Sequence, residues 1–430
     1  MELSIYSITF VENGKFYLYN SQTNFFSEIS EELYKSLKNR TWQELPESVI
    51  EQLISKKIIV NSASKYDYYN LKRLQFNAQK YNTGCLGLVI VPTTACNFAC
   101  PYCFEPKKDP KTITAPIIDD LQKFIKSFVG AHNIDLTWYG GEPLLAFNQI
   151  KDIYRMLTED GMPEIKAHSI VTNGYLFTEE VIDFFKGKKL GNIQITIDGS
   201  KEHHNTTRCL KAGQKPTFDV IINNIELILQ HMPETILAIR VNVKKSNLIE
   251  YLHLLEYFNK KYPDNKKLNI YPGLIREETP DKKSLTCDCF SSEDVSDLNQ
   301  LIKEAGYSAN IFPKRQHRGC MAQSLNSYII GPEGELYKCW NDVSNPNMVI
   351  GNISSMDTSG STRLLNFMTE STPFDAKCKI CHAFPICDGG CAYYRLRNLK
   401  ENACFPVCSS FKDIEKLKRA LFNGVKPELI

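Results

Sequence analysis

A chain of 430 residues is long enough to bury two or three hydrophobic cores, which excludes a single small binding module. With 43% apolar and 23% charged residues it is globular, and 51 basic against 49 acidic residues leave a net charge of +2, so no basic excess favours nucleic acid. The longest apolar run, 85–92, is too short to span a bilayer, and no basic segment precedes an apolar one at the start, so a cytoplasmic protein without a membrane partner is expected.

Residues 1–62 open with a hairpin of two strands, 8–11 and 16–19, turned at Asn13-Gly14, where both residues tolerate positive φ. Ser30 is placed to cap a first helix, with Glu31 and Glu32 favourable at its positive end, and Pro46 starts a second over 45–54. Residues 58–60 read as one more strand. A winged-helix-like unit is the economical interpretation, joined by a polar, tyrosine-rich linker at 63–84 to a second region at 85–306.

There, β-branched runs predict strands at 86–91, 134–139, 165–172, 193–198, 236–243 and 268–274, separated by amphipathic helices. One helix is plain in Phe218, Ile221, Ile222, Ile225, Ile228, Leu229 and Met232, spaced by three and four. Six βα units predict an α/β fold whose parallel sheet curls into a partial (β/α)6 TIM-like barrel, with ligands at the carboxyl ends of the strands. From 307 to 430 the pattern dissolves into Gly, Pro, Asn and Cys until a final helix at 411–422. Such a stretch needs another source of stability, and bound metal would supply it.

In a large reduced chain, clustered thiols point to metal ligation rather than disulfides, and there are 15 cysteines here. Directly after the first barrel strand come Cys96, Cys100 and Cys103 on one loop. Three thiolates at these spacings can hold three irons of a cubane and leave the fourth without a protein ligand, open to the amino and carboxylate groups of a small molecule. The alternative is a zinc knuckle, but zinc sites usually show paired CxxC units with a fourth ligand nearby, and none sits in this loop.

The segment resembles the radical S-adenosylmethionine (SAM) enzymes, whose signature CxxxCxφC has an aromatic φ, here Tyr102. The resemblance implies cofactor contacts at the ends of successive strands. Gly140-Gly141-Glu142 looks like the family's GGE motif, whose backbone meets the SAM amino group. Glycines suit that task because backbone must approach a ligand closely. Thr172-Asn173 is similar to the ribose-contacting position, and Asp198 ends the fourth strand, followed by His203 and Arg208 in a pattern seen in peptide-modifying members. Arg240 and Asn242 share one face of the fifth strand, where Arg240 needs an anionic partner such as the SAM carboxylate.

In the C-terminal region, Cys320-x13-Gly334-x4-Cys339, then Cys378-x2-Cys381-x5-Cys387-x3-Cys391, then Cys404 and Cys408, resemble the SPASM extension with two interleaved auxiliary clusters. Carried over by position, Cys320, Cys339 and Cys391 fall on auxiliary cluster I, and Cys378, Cys381, Cys387 and Cys408 on auxiliary cluster II. Cys404 is left unassigned. On spacing alone a double zinc ribbon is the other reading. The family's further cysteine shortly before Cys320 is missing here, so Cys287, Cys289, His317 or an open iron completes cluster I. Cys85 and Cys209 read as small buried residues.

The resemblance therefore implies three [4Fe–4S] clusters, SAM, and an electron donor such as flavodoxin or ferredoxin. The activity it implies is that of an oxidoreductase that modifies a ribosomally synthesised precursor peptide through a 5′-deoxyadenosyl radical. A thioether cross-link is preferred over a carbon–carbon one, with peptide epimerisation and sulfatase-maturase-like side-chain oxidation as alternatives, and no catalytic base is assigned. Sulfatase maturases place an Asp after the residue matched by Cys339, where this chain has Trp340. Residues 1–62 would bind the leader of the precursor by strand addition. A non-catalytic leader-binding or zinc-ribbon protein is the reading from another class, and a mere binder has no use for an iron with an exchangeable site.

Overall fold

The computed structural model describes residues 1–103, 110–275, 294–307, 319–356, 360–387, 389–424 and 427–429. It divides into two compact units: Met1–Lys80 with Ser291–Cys320 and Ser371–Ile430, and Tyr81–Phe290 with Met321–Glu370.

The first unit takes five strands from its first 60 residues: β1 (Glu2–Leu3), β2 (Ser7–Glu12), β3 (Lys15–Asn20), β4 (Phe25–Ile29) and β5 (Ile59–Val60). β2 and β3 form the expected hairpin, with Asn13 at φ 49° and Gly14 at φ 75°. β4 pairs with β3, and a C-terminal strand, Glu428–Leu429, adds parallel to β4, while β1 pairs separately with β5. Both faces of the larger sheet are covered. On one, Leu18, Phe25 and Ile29 pack with Leu33 and Leu37 of helix α1 (Glu31–Asn39), Leu53 of α2 (Glu47–Ser55) and Trp42 from the turn between them. On the other, Phe10, Tyr17, Tyr19 and Phe26 pack with Ala383, Ile386, Leu417 and Leu421, and the Phe422 ring stands edge-on to Tyr17 at 4.9 Å. Ser30 caps α1 as expected, accepting from the Leu33 N–H at 3.1 Å. Where the sequence suggested a linker at 63–84 the chain forms helix α3 (Asp67–Lys80). Its Tyr69 hydroxyl donates to the Phe374 carbonyl at 2.8 Å.

In the second unit, β6 (Cys85–Ile90), β7 (Asn133–Trp138), β8 (Glu164–Thr172), β9 (Asn192–Thr196), β10 (Ile236–Val243) and β11 (Leu268–Leu274) lie side by side and all parallel. They are joined through α4 (Ala115–Lys126), α5 (Phe147–Leu157), α6 (Glu179–Phe185), α7 (Lys201–Thr207), α8 (Phe218–His231) and α9 (Leu248–Lys261). β6 reads as an apolar run, whereas β7 and β9 alternate buried with more exposed residues, as a strand with one apolar face does. Phe218, Ile221, Ile222, Ile225 and Ile228 form the buried stripe of α8, each aliphatic contributing about 1.5–3 kcal/mol by leaving water.

The sheet does not close on itself. Beyond β6 it continues through β12 (Ser327–Ile330), parallel to β6, then β13 (Glu335–Tyr337) and β14 (Gly351–Asn352), giving nine strands that are mostly parallel. A division of the chain at 306/307 therefore does not match the structure: residues 321–370 belong with the barrel strands because β12 hydrogen-bonds to β6. Among the described residues no helix is long and apolar enough to cross a membrane.

Candidate functional site

The loop that follows β6 carries the first three cysteines, and it is stapled in place. The Ala99 N–H donates to the Cys209 carbonyl at 3.0 Å, the Lys211 N–H donates to the Asn97 carbonyl at 2.8 Å, and Phe98 and Leu210 form a β-bridge between them. Cys209 is thus more than a filler, since its backbone holds the loop. Burial pushes the Cys96 thiol up to about 11 and raises Cys100 as well, and along the loop each thiol lies in electrostatic reach of the next.

Tyr102 fastens the loop to the ends of later strands. Its hydroxyl donates to Asp198 Oδ2 and accepts from Arg208 Nη1 at 2.8 Å. Asp198 Oδ2 also accepts from Thr207 Oγ1 at 3.1 Å, and Oδ1 accepts from Asn242 Nδ2 at 3.3 Å. Asn242 Oδ1 in turn accepts from Arg240 Nε at 3.1 Å, so Arg240 and Asn242 do share a face, as their spacing requires. Asn173 Nδ2 reaches back to Asn97 Oδ1 at 2.8 Å. The structure therefore links Tyr102, Asp198 and Arg240 in one polar network that holds the cysteine loop, and ties Asn173 to the same loop separately through Asn97. It adds Asn97, Thr207 and Asn242 from residues with no motif of their own.

Gly140, Gly141 and Glu142 have a structural task within the fold. A Cβ on Gly141 would lie 2.3 Å from the Ala95 carbonyl oxygen, and one on Gly140, which sits at φ +137°, would lie 2.3 Å from that of Thr93. The glycines are required because this turn presses against the backbone just before Cys96. Glu142 is fully buried. Its Oε1 accepts from the Leu144 N–H at 3.1 Å and Thr172 Oγ1 at 2.8 Å, and its Oε2 from the Asn173 N–H at 2.7 Å. Burial raises its pKa on balance, against the pull of those donors. The carboxylate and the Thr172 hydroxyl thus clamp the segments that follow β7 and β8 to each other.

His204, next to the residue singled out from the sequence, is the histidine built into the site. Its Nδ1 accepts from the Asp198 N–H at 3.2 Å and its Nε2 lies 3.0 Å from Thr217 Oγ1. Thr217 gives its own proton to the Arg208 carbonyl at 2.6 Å, which fixes the His204 tautomer with the proton on Nε2. Burial lowers its pKa to about 3, so it is a neutral strut rather than a general acid.

Arg208 and Arg240 offer positive charge to a bound anion. Arg208 is buried, its Nε has no hydrogen-bond partner among the described residues, and its guanidinium lies 5.5 Å above the Phe98 ring. Burial opposes its charge, but Tyr102, Asp198 and Cys100 hold its pKa above the ordinary value. No carboxylate pairs with Arg240 among the described residues. Three thiols on a fixed loop, a guanidinium donor beside Cys100 without a partner among the described residues, and a half-buried Arg240 within β10 fit an anionic iron–sulfur cluster and a carboxylate-bearing ligand. No three His, Cys, Asp or Glu side chains among the described residues gather around a single-ion position.

Of the C-terminal cysteines, Cys339 belongs to the barrel unit and Cys320, Cys378, Cys381, Cys387, Cys391, Cys404 and Cys408 to the other. Asp375 caps the turn that carries Cys378, accepting its N–H at 2.8 Å, and the Cys381 N–H donates to the Cys378 carbonyl at 3.2 Å. Burial pushes Cys378 up to about 12. A Cβ on Gly390 would lie 2.0 Å from the Val407 carbonyl oxygen, so the segment between Cys387 and Cys391 packs directly on the residue preceding Cys408. The candidate ligands Cys287, Cys289 and His317 lie outside the described residues. In the barrel unit, Trp340 stands edge-on to Tyr139 at 4.4 Å, and the nearby acid, Asp342, is buried and clasped by Arg363 through contacts of 2.6 and 3.3 Å.

A parallel βα sheet whose first strand delivers three thiols to the carboxyl-end face, with two cations and a polar network around them, defines an enzyme built around a thiolate-held cluster and an anionic ligand. Residues 90–258 match the radical SAM superfamily. Over 357 residues the chain is 26% identical to a cysteine-type anaerobic sulfatase-maturating enzyme of Clostridium novyi, covering 76% of this chain and 93% of that one. Among solved structures it resembles anSMEcpe with bound AdoMet, at TM-score 0.60 and 20% identity over 79% of this chain and 93% of that one. It also resembles Streptococcus suis SuiB bound to precursor peptide SuiA, at TM-score 0.51 and 15% identity over 94% of this chain and 97% of that one. Residues 90–258 are a radical SAM domain with sequence similarity to anaerobic sulfatase-maturating enzymes, and the protein is a SAM-dependent enzyme.

Proposed function

We propose that the protein is a maturase that cross-links a ribosomally synthesised precursor peptide, forming a thioether in preference to a carbon–carbon bond, and that the β2–β4 sheet takes up the leader. When bound, the cluster held by Cys96, Cys100 and Cys103 supplies one-electron radical chemistry together with SAM. The chain's own residues position and shield. The clamp at Glu142 and the Tyr102–Asp198–Asn242 network hold the loop and strand ends rigid, and Arg208 and Arg240 offer positive charge to the anionic groups. Two further clusters on the C-terminal cysteines, as assigned from their spacing, and a flavodoxin or ferredoxin donor complete the reading.

The observation that carries the choice of reaction is the surroundings of Cys339. A side-chain-oxidising maturase of the sulfatase type needs a free carboxylate there to take the substrate's proton. This chain has Trp340 against Tyr139, and its neighbouring Asp342 is held in an ion pair with Arg363. Support for leader uptake comes from β4, whose edge already accepts an added strand, Glu428–Leu429. The sulfatase-maturase reading is the second one, favoured by the 26% identity to such an enzyme. Co-expression with a candidate precursor followed by tandem mass spectrometry separates them. A cross-link shows as loss of two hydrogens with fragmentation suppressed between the joined residues. An aldehyde at a single cysteine or serine would overturn the proposal, and an unchanged mass would mean epimerisation or no reaction.

A further inference from the structure

The first unit contains a buried hydroxyl with nothing to bond to. Tyr6 is 1% exposed, and its phenol oxygen has no hydrogen-bond partner among the described residues. The residue is fixed on several sides: its carbonyl accepts from the Ser21 N–H at 3.0 Å, its N–H donates to Ser4 Oγ at 3.3 Å, and its ring meets Tyr68 edge-on at 5.4 Å. An inaccessible hydroxyl without a partner is rare in folded proteins and calls for an explanation in terms of something that binds there.

The neighbours supply one. Tyr6, Tyr69 and Phe384 form a single apolar cluster, and the side chains packed against it include Cys378 and Cys381. Cys381 is close enough to act electrostatically on the phenol. Cys381 also belongs to the cluster that joins the β2–β4 sheet to residues 383–421. The turn bearing these two thiols thus lies against the wall that contains the orphaned donor. A phenol donates readily to a thiolate, and a metal-bound thiolate keeps lone pairs to accept it.

We propose that Tyr6 donates a hydrogen bond to a sulfur of the iron–sulfur cluster held by Cys378, Cys381, Cys387 and Cys408, and so raises the reduction potential of that cluster. This rests on reading those cysteines as ligands. Reduction adds negative charge to the cluster, and a donor aimed at a sulfur stabilises the reduced form more than the oxidised one. Tyr6 is a positioning and tuning residue, not a catalytic one. Because it precedes β2 directly, it also links the electronic state of this cluster to the sheet proposed to bind the leader.

The test uses the full-length enzyme reconstituted anaerobically, with potentials followed by electron paramagnetic resonance. In Tyr6→Phe the auxiliary signal should become harder to reduce, with the ratio of reduced to oxidised cluster at a fixed potential falling about tenfold, or about 59 mV for one electron. Iron content should be unchanged. Tyr19→Phe should leave the potential alone, since the Tyr19 hydroxyl already donates to Asn24 Oδ1 at 2.9 Å. Site-specific 3,5-difluorotyrosine at position 6, a stronger donor of nearly the same shape, should shift the potential the other way. An unchanged midpoint in both position-6 variants, with iron retained, overturns the inference. If Cys378→Ala and Cys381→Ala lose no iron, the ligand reading fails instead, and the inference with it.

Discussion

Glu142 separates the clamp described above from the cofactor contact that its motif suggests. In Glu142→Ala three donors lose their acceptor inside the protein: the Leu144 N–H, the Asn173 N–H and Thr172 Oγ1. At about 1–3 kcal/mol for each buried donor left unpaired, the loss is about 3–9 kcal/mol, before any cavity is counted. Glu142→Gln keeps the shape and one acceptor oxygen but turns an NH2 toward an existing donor, at a cost of about 1–3 kcal/mol. Thr172→Val removes one donor to the clamp and the acceptor of the Gly174 N–H, and should fall in the same lower range. Urea unfolding measures these losses, and equilibrium dialysis measures SAM affinity on the fraction that stays folded. The expected pattern is a large stability loss in the Ala variant and a smaller one in the Gln and Val variants, with near-normal SAM affinity in those two. If Glu142→Gln unfolds like the parent yet loses SAM binding, the carboxylate touches the cofactor and the clamp argument is wrong.

Three further outcomes are expected. Gly141→Ala puts a Cβ 2.3 Å from the Ala95 carbonyl oxygen and 2.5 Å from that of Thr94, so the cysteine loop must shift; both melting temperature and iron bound at Cys96, Cys100 and Cys103 should fall, and full retention of the two would refute the packing role. His168, buried with a pKa lowered to about 4, and His204, lowered to about 3, stay neutral in the fold while their unfolded counterparts take up protons below about pH 6.5. Their share of stability is therefore complete above that pH and drains as pH falls, by up to about 1.4 kcal/mol per pH unit for each histidine; His204→Gln should flatten the urea midpoint between pH 6.5 and 4, and an unaltered profile counts against this assignment. Deleting residues 427–430 removes the strand paired with β4 and should tighten precursor binding several-fold by fluorescence anisotropy, whereas equal or weaker binding means the leader does not use that edge.

The six strands β6–β11 were legible because each is a β-branched run of ordinary length separated by a helix with a clear apolar stripe. β12, β13 and β14 were not, since strands of four, three and two residues carry no periodicity, and the partner that orders them, β6, lies more than 200 residues earlier. β4 escaped notice because Phe25-Phe26-Ser27 is buried on both faces and shows no alternation. At the site, Cys96, Cys100 and Cys103 announce themselves by spacing. The polar residues that brace their loop do not: Asn97, Thr207 and Asn242 are ordinary polar residues until the fold sets their side chains within hydrogen-bond range. The sequence pointed to His203, but α7 begins at Lys201 and the turn of the helix carries the next residue, His204, inward to Asp198 and Thr217. Gly140 and Gly141 read as positions where backbone approaches a ligand, and the fold adds a packing reason for them, since the carbonyls of Thr93 and Ala95 crowd both.

The β2–β4 sheet has consequences beyond leader uptake, because it is not a detachable cap. Its Phe10, Tyr17, Tyr19 and Phe26 form one core with Ala383, Ile386, Leu417 and Leu421, and Cys381 packs into that same core. Removing residues 1–62 would strip those partners from the apolar face around Phe422 and from the turn that carries Cys378 and Cys381. A truncated protein would therefore lose auxiliary iron and fold together with leader binding, and could not tell one from the other. The opposite coupling follows from the same contacts: an added strand on this sheet stiffens the wall that the cysteine turn leans on, while loss of iron loosens it. Substitutions confined to one side of the shared core, such as Tyr6→Phe toward the thiols or removal of the strand on β4, are the perturbations that can separate recognition from cluster assembly.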